Sequence, residues 1–569
     1  GGGSVTDPDP TSVTRPDGPS LTALDRPSLT ALDRPSLTAL DGPSLTGPAS
    51  WNGALMVCGT ASDAGKSTLV TGLCRLLARS GVRVAPFKAQ NMALNSAVTP
   101  SGHEIGRAQA AQAQAAGVAP EVAMNPILLK PQSDRTSQVV VMGRPWRTLD
   151  AAGYHAAKPE LAGLVLEQLD DLRARFDVVI CEGAGSPAEI NLLDGDIVNL
   201  RIARDAGLPA IIVGDIDRGG VFAALYGTVA LLPDDLRACV AGFVINKFRG
   251  DPALLGSGPG ELARRTGIPT LGVLPWLGGL GLDAEDSLAL GANWPAPVPS
   301  AHAPLDVAAI RFPRISNFTD LDALAIEPGV SVRLVETAAA LGRPDLLVLP
   351  GTKSTVADLA WLRDRGLADA ITSLAANPAG GTTILGICGG YQMLGSRIHD
   401  AVEARPPETV AGLGVLAAVT VFETDKVTQW TTGVVDGEVV RGYEIHHGRT
   451  TSATPWIQLD GSDQGEGCVA AHGRLVGTSL HGLLENDAFR AAFLGGVARR
   501  AGRSWAASGV SFAAAREARF DRLAAVLEDH LDLDAVGGLV ARARRPAAQR
   551  PAAQRPAVQR PAIGGAEPR

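Results

Sequence analysis

The sequence predicts an α/β protein made of two successive parallel sheets, and three observations carry that expectation. Short runs of Val, Ile, Leu and Ala alternate with helical stretches, the first run leads into a Gly-Lys-Ser loop, and a Pro-rich break at 294–304 is followed by a second series. Buried strands alternating with helices are the mark of a parallel sheet with helices on both faces. The chain has 569 residues, and at ~100–200 residues per domain it should hold two or three domains with tails. Hydrophobic residues make up 45% and aromatics only 4%, so the cores must be built from aliphatic side chains.

Taken in order, residues 1–50 are rich in Pro, Ser, Thr, Asp and Gly and repeat Pro-Ser-Leu-Thr-Ala-Leu-Asp from Pro19, Pro27 and Pro35. A disordered tail is expected there. Residues 51–293 hold the first α/β series, with strands expected at Leu55–Cys58, Val82–Phe87, Val178–Cys181, Ala210–Val213, Val240–Ile245 and Thr270–Leu274 and helices at Ser67–Ser80 and Leu161–Arg175. The break at 294–304 reads as a linker. Residues 305–498 form the second series, with strands expected at Asp306–Ile310, Ser331–Leu334, Leu346–Leu349 and Thr383–Ile387. Residues 499–540 read as helices packed on the second domain. Residues 541–569, with Arg-Pro-Ala-Ala/Val-Gln repeats, read as a second disordered tail, because proline at that density forbids helix.

Composition excludes several function classes. Lys and Arg number 51 against 59 Asp and Glu, a net charge of −8, so there is no basic footprint for nucleic acid. No apolar run reaches the ~20 residues that span a bilayer, and no signal-peptide layout opens the chain. Six cysteines lie scattered without C-x-x-C spacing. That argues against disulfides and zinc knuckles and for a reducing cytoplasm. Oligomeric state is left open.

Gly59-Thr60-Ala61-Ser62-Asp63-Ala64-Gly65-Lys66-Ser67-Thr68 follows the first strand and opens a helix, which is the setting of a phosphate-binding loop (P-loop). Backbone N–H groups curl around oxyanions, Lys66 neutralises charge, and the Ser67 hydroxyl is a Mg²⁺ ligand. Gly59, Thr60, Gly65, Lys66, Ser67 and Thr68 are therefore expected to hold ATP. Glu182, at the end of Val178-Val179-Ile180-Cys181, stands where a second Mg²⁺ ligand is needed, since ligands collect outside the carboxyl ends of parallel strands. Asp63 is a further metal candidate, as is Asp215, although either could cap a turn. Lys88 follows the second strand and is read as a cation for phosphate or substrate; Asn246, after Val244-Ile245, is placed to touch the nucleotide base. The loop has one residue more than the common spacing and resembles the longer version in the dethiobiotin synthetase family.

A second site is marked by Thr383-Ile384-Leu385-Gly386-Ile387-Cys388-Gly389-Gly390-Tyr391-Gln392, a buried strand ending in a thiol between small residues. This is the pattern of a nucleophile elbow, in which a tight strand-to-helix turn lifts the thiol to a helix N-terminus. A thiol nucleophile needs a base and oxyanion donors. His481, in Gly477-Thr478-Ser479-Leu480-His481-Gly482, is the expected base, and His446 and His447 are competitors. The N–H groups of Gly389 and of the Gly351 loop are the expected oxyanion donors.

The elbow and the late histidine resemble the class I glutamine amidotransferases. The resemblance implies that Cys388 attacks the glutamine amide, releases ammonia and forms a thioester that water clears. Many members carry a glutamate two residues after the histidine, but that position here is Leu483. A Cys–His dyad is expected, with Glu485 the alternative orienting carboxylate. Ammonia is useful only to an activated acceptor. A carboxylate resists it because oxide is a poor leaving group, and the ATP site upstream can supply phosphate as a better one.

Four stretches, Gly59–Ser67, Phe87-Lys88-Ala89-Gln90-Asn91-Met92-Ala93-Leu94-Asn95-Ser96, Glu182–Leu192 and Pro313-Arg314-Ile315-Ser316-Asn317-Phe318-Thr319-Asp320, resemble the cobyric acid synthase family over about residues 53–497. The resemblance implies glutamine- and ATP-dependent amidation of the b, d, e and g carboxylates of adenosylcobyrinic acid a,c-diamide. The partners implied are glutamine and a corrinoid, with ATP and Mg²⁺ as cofactors. Lys88, Gln90, Asn91 and Asn95 become substrate candidates, a polar loop being the bland alternative. Gln109, Gln112 and Gln114, in an Ala-rich helix, fit either substrate contact or solvated surface. Two rivals are a cobyrinic acid a,c-diamide synthase, which shares both folds, and a partition-type switch ATPase with a docking glutaminase-like domain. Asn91–Ser96 favours the first reading over the diamide synthase, and an intact thiol and base speak against the switch.

Overall fold

Strands form where the aliphatic runs predict them. In the computed structural model, which describes residues 51–278, 305–404, 406–462 and 465–544, the first sheet comprises β1 (Gly53–Gly59), β2 (Val84–Phe87), β3 (Val178–Glu182), β4 (Ala210–Asp215), β5 (Val240–Phe248) and β6 (Thr270–Pro275). Their order is β6-β5-β4-β1-β3-β2, all parallel. The 1–50 tail, the break at 294–304, the stretch 279–293 and residues 545–569 lie outside the described residues.

The central strand β1 shows why both faces must be covered. Leu55 and Val57 point to one side, against Leu69 and Leu73 of the helix Lys66–Arg79. Ala54, Met56 and Cys58 point to the other, in one cluster with Leu161, Val165 and Leu169 of the helix Ala151–Arg175. Each buried Leu or Val contributes roughly 1.5–3 kcal/mol. The Ala151–Arg175 helix begins ten residues before the expected Leu161. Asp150 caps it by accepting from the Gly153 N–H at 2.7 Å, and Pro159 is carried within it, a residue that a sequence reading treats as a helix breaker.

The second sheet comprises β7 (Leu305–Ile310), β8 (Val330–Val335), β9 (Leu346–Leu349), β10 (Thr383–Ile387), β11 (Cys468–Ala470) and β12 (Leu475–Thr478). Its order is β8-β7-β9-β10-β12-β11, with only β11 antiparallel. Leu349 pairs with Gly386 and Ile387 with Thr478, so the loops after β9, β10 and β12 emerge side by side at the carboxyl edge.

All described residues belong to one compact unit, and an irregular segment joins its two halves. Ser96–Val98 and Glu104–Gly106 form a small antiparallel pair pressed against the long hairpin of Ala418–Val435 and Glu438–Ser452. Trp430 Nε1 donates to Val98 O at 2.9 Å, and the Ser96 N–H donates to Asn317 Oδ1 at 2.8 Å.

The C-terminal helices correct one expectation. The helix Phe512–His530 starts with Phe512 in the second half's core, but Phe520, Ala524 and Leu527 pack with Leu69 and Leu73 of the first half. Arg75 pairs with Glu517 and Asp521, each at 2.8 Å. The next helix, Leu533–Arg542, runs two residues past the expected boundary at 540 and also packs on the first half. An apolar stripe in sequence shows that a helix is buried, not which of two cores receives it.

Candidate active site

At the carboxyl edge of the first sheet, the loop after β1 meets the end of β3. Gly65 has φ +104°, and a Cβ there would lie 1.9 Å from Asn246 Nδ2, so only glycine lets the loop turn this tightly against β5. Asn246 Nδ2 donates to Ala64 O at 2.9 Å, bracing the loop. Thr60 N–H donates to Val213 O at 2.9 Å, and Lys66 Nζ lies across the loop on Ala61 O at 2.9 Å and Gly185 O at 3.1 Å. A Cβ at Gly59 would stand 3.1 Å from Lys66 Nζ. Thr68 is half-buried in the first helical turn.

Glu182 is the hub of this edge. Its Oε1 accepts from Ser67 Oγ at 2.8 Å and from Lys88 Nζ at 2.9 Å, and its Oε2 accepts from Gln112 Nε2 at 2.6 Å. Burial pushes the carboxyl toward protonation, but Lys88 and the Ser67 and Gln112 hydrogen bonds more than offset it and hold the pKa below the ordinary carboxylate range. Ser67 and Glu182 are thus brought together. Asp63 stands apart, exposed at φ 57° with Arg218 at 4.0 Å, and Asp215 is paired to Lys247 at 2.8 Å. Among the described residues no group of three or more His, Cys, Asp or Glu is arranged to hold a metal ion.

The substrate candidates lie along the way from this edge to the seam between the halves. Gln90 Oε1 accepts from Tyr154 OH. Asn91 and Asn95 are each 1% exposed; Asn91 Nδ2 donates to Gln109 Oε1 at 2.9 Å, and Asn95 O accepts from the Arg107 N–H at 3.1 Å. Gln109 and Gln112 are fully buried, which removes the solvated-surface reading for both. Gln114 instead pairs with Glu517 at 2.9 Å.

In the second half, Cys388 has φ 50° and ψ −108°, a region that a non-glycine residue occupies only under strain, as a nucleophile elbow does. A Cβ at Gly390 would come within 1.9 Å of Leu349 O, so the turn depends on that glycine. Cys388 and His481 line one cavity, and the thiol is among the groups that favour charge on the imidazole. A Cβ on Gly351 would stand 3.0 Å from His481 Cε1, and one on Gly389 3.0 Å from Thr352 N. The residues expected to form the site therefore converge from the loops after β9, β10 and β12.

A carboxylate stands behind the expected Cys388–His481 pair. His481 Nδ1 lies 2.7 Å from Asp320 Oδ2, and Asp320 Oδ1 accepts from the Gly482 N–H at 2.7 Å. Burial opposes charge on the imidazole, but Asp320, through charge and hydrogen bond, and then Cys388, outweigh it and push the His481 pKa up to about 10. Glu485 is engaged elsewhere, with Arg107 at 3.1 Å. Asp320 carries little signal in the sequence because it precedes the histidine by 161 positions, whereas many class I amidotransferases carry a carboxylate two residues after it. Its only signal was its place at the end of Pro313–Asp320.

His446 and His447 line the same cavity as Cys388 and His481, but their bonds turn elsewhere. His446 Nε2 donates to Glu444 Oε1 at 3.3 Å and His447 Nδ1 to Glu423 O at 3.0 Å. Burial holds the Cys58, Cys74 and Cys181 thiols above the ordinary range, so they are packing residues.

Two family descriptions match the chain. Residues 55–287 match the CobQ/CobB/MinD/ParA nucleotide binding domain, and residues 306–489 match the CobB/CobQ-like glutamine amidotransferase domain. A cobyric acid synthase of Frankia casuarinae is 54% identical over 518 residues, covering 86% of this chain and 97% of its own length. That of Nocardia farcinica is 54% identical over 504 residues, covering 85% and 96%, and that of Rhodococcus jostii 55% over 497 residues, covering 86% and 96%.

Proposed function

The chain belongs to the cobyric acid synthase family, and on that premise we propose how its two sites share one glutamine- and ATP-dependent amidation of a corrinoid. The observation that carries the reading is the Cys388–His481–Asp320 arrangement at the carboxyl edge of the second sheet. Asp320 fixes the tautomer and orientation of His481, which keeps the thiol poised as thiolate. Cys388 attacks the carboxamide carbon of glutamine, and His481 delivers a proton to the departing ammonia. The thioester is then hydrolysed by water that His481 deprotonates, releasing glutamate. N–H groups of Gly389 and the Gly351 loop hold the oxyanion.

At the first sheet, the loop Gly59–Thr68 binds ATP phosphates and Lys66 offsets their charge. A hydroxyl and a carboxylate at 2.8 Å, Ser67 Oγ and Glu182 Oε1, are the hard-oxygen donor set that Mg²⁺ takes beside phosphates. Ser67 and Glu182 would hold the ion, which would supply positive charge to offset that of the phosphates during transfer. A corrin carboxylate becomes an acyl phosphate, ammonia replaces the phosphate, and an amide results. The substrate is adenosylcobyrinic acid a,c-diamide, amidated at the b, d, e and g carboxylates, with one ATP and one glutamine spent on each. Lys88, Gln90, Asn91 and Asn95 are assigned to the corrin substrate.

A switch ATPase with a docking domain would have no use for the triad, and the relatives named above are cobyric acid synthases rather than diamide synthases. No helix among the described residues is long and apolar enough to cross a membrane. All six cysteines are free, in keeping with a reducing cytoplasm. Mass spectrometry of corrinoids incubated with ATP and glutamine tests the reading: a loss of a single mass unit for each of four carboxylates is expected. Unchanged mass, or conversion of only the a and c groups, would overturn it.

A further inference from the structure

The cavity beside Cys388 is walled by charges that the reaction scheme does not use. Lys130 from the first half and Lys426 from the second both line it, and both bind one carboxylate, Glu104, with Lys130 Nζ at 2.6 Å. Glu104 is 1% exposed, and although burial opposes its charge, Lys130 and then Lys426 hold its pKa far below the usual range. One carboxylate shared by two ammonium groups leaves this wall with a positive charge in excess. Burial lowers the Lys426 pKa to about 8, with Glu104 the chief opposing influence. A buried excess charge calls for an anion in the cavity.

The opposite character gathers around His447. Its Nδ1 donates to Glu423 O at 3.0 Å, and burial lowers its pKa to about 4, so the ring is neutral and Nε2 is a bare acceptor. That nitrogen is buried with no hydrogen-bond partner, as is His446 Nδ1, and these rings are 5% and 9% exposed. Glu403, paired with Lys353, lines the cavity beside them. Buried acceptors without partners are rare, and these belong to two residues that line the cavity, where a donor-rich, positive group would satisfy them.

We infer that this cavity is a zwitterion site assembled from both halves: Lys130 and Lys426 take the α-carboxylate of glutamine, and Glu403, His447 Nε2 and His446 Nδ1 take its α-ammonium group. The inference rests on the glutaminase reading of Cys388 and adds the specificity it imposes. Since Lys130 and Glu104 come from the first half, the glutamine pocket is completed by the half that activates the acceptor.

Two glutamine analogues separate the two ends: L-glutaminamide, whose α-carboxylate is a carboxamide, and 4-carbamoylbutanoate, which lacks the α-amine. Full-length wild type should favour glutamine over each in kcat/KM for ammonia release by about 10- to 100-fold, the worth of charged hydrogen bonds. Lys426→Met should erase the preference over L-glutaminamide while keeping that over 4-carbamoylbutanoate. His447→Leu should do the reverse. Because each ratio is taken within one variant, a general loss of activity does not mimic the result, and Lys130→Met gives the first test from the other half should Lys426→Met fail to fold. Wild-type ratios retained in these variants, or a wild type that does not discriminate, would overturn the inference while leaving the glutaminase reading standing; absence of wild-type ammonia release from glutamine would overturn both.

Discussion

His481 Nδ1 and Asp320 Oδ2 stand 2.7 Å apart across 161 residues of sequence. This bond holds the imidazole in the orientation that presents its other nitrogen to Cys388. Asp320→Asn should lower the rate of glutamine hydrolysis by about 10²–10⁴-fold, measured as ammonia release.

The same bond makes stability depend on pH. The folded pKa of His481 is raised from 6.5 to about 10, so its contribution is fully present below 6.5 and is lost as pH rises through about 10. The melting-temperature gap between wild type and Asp320→Asn should therefore be widest below pH 6.5 and shrink toward pH 10. A gap independent of pH would show that the ring is not the group responsible.

Cys388→Ala should abolish amidation with glutamine while added ammonium salts still support it, because the thiol lies in the second sheet and the phosphate loop in the first. Product amide is counted with each nitrogen source. Equal loss of both would contradict the division of labour.

Lys66→Ala should remove synthesis from either nitrogen source by about 10²-fold or more, since its ammonium group crosses the phosphate loop. Surviving ammonia-dependent amidation would show that phosphate is handled elsewhere.

Lys88→Met strands Glu182, whose side chain is fully buried. Loss of one partner from such a pair costs about 3–5 kcal/mol. Lys88→Met combined with Glu182→Gln should recover part of that in chemical denaturation, whereas strictly additive effects would mean that the two residues do not interact.

Leu527→Ala should cost about 2–5 kcal/mol and quicken amide exchange in the helix Lys66–Arg79, because Leu527 packs over Gly72 there. Faster exchange confined to the second half would return the C-terminal helix to that half.

Strands and loops with strong local chemistry could be read from the chain. Gly65-Lys66-Ser67 and Gly386–Gln392 announce tight turns through glycine and small residues, and β1, β9 and β10 lie where their aliphatic runs predict. Relationships that depend on tertiary closure could not be read in this way. Asp320 meets His481 only when β7 and β12 share a sheet. Gln109 and Gln112 look like solvated helix surface until the helix is seen buried with Glu182 on one side and Asn91 on the other. Lys130, Glu104 and Lys426 are ordinary charges in sequence, and 322 residues separate the last two.

The ion pair between Glu104 and Lys426 also constrains how such an enzyme can be taken apart. Expressed as separate polypeptides, one piece would carry a buried carboxylate stripped of one of its two ammonium partners and the other a bared ammonium group, each shaped for a partner it no longer has. Exchange of modules between relatives should succeed only when both members of that pair travel together with the swapped piece.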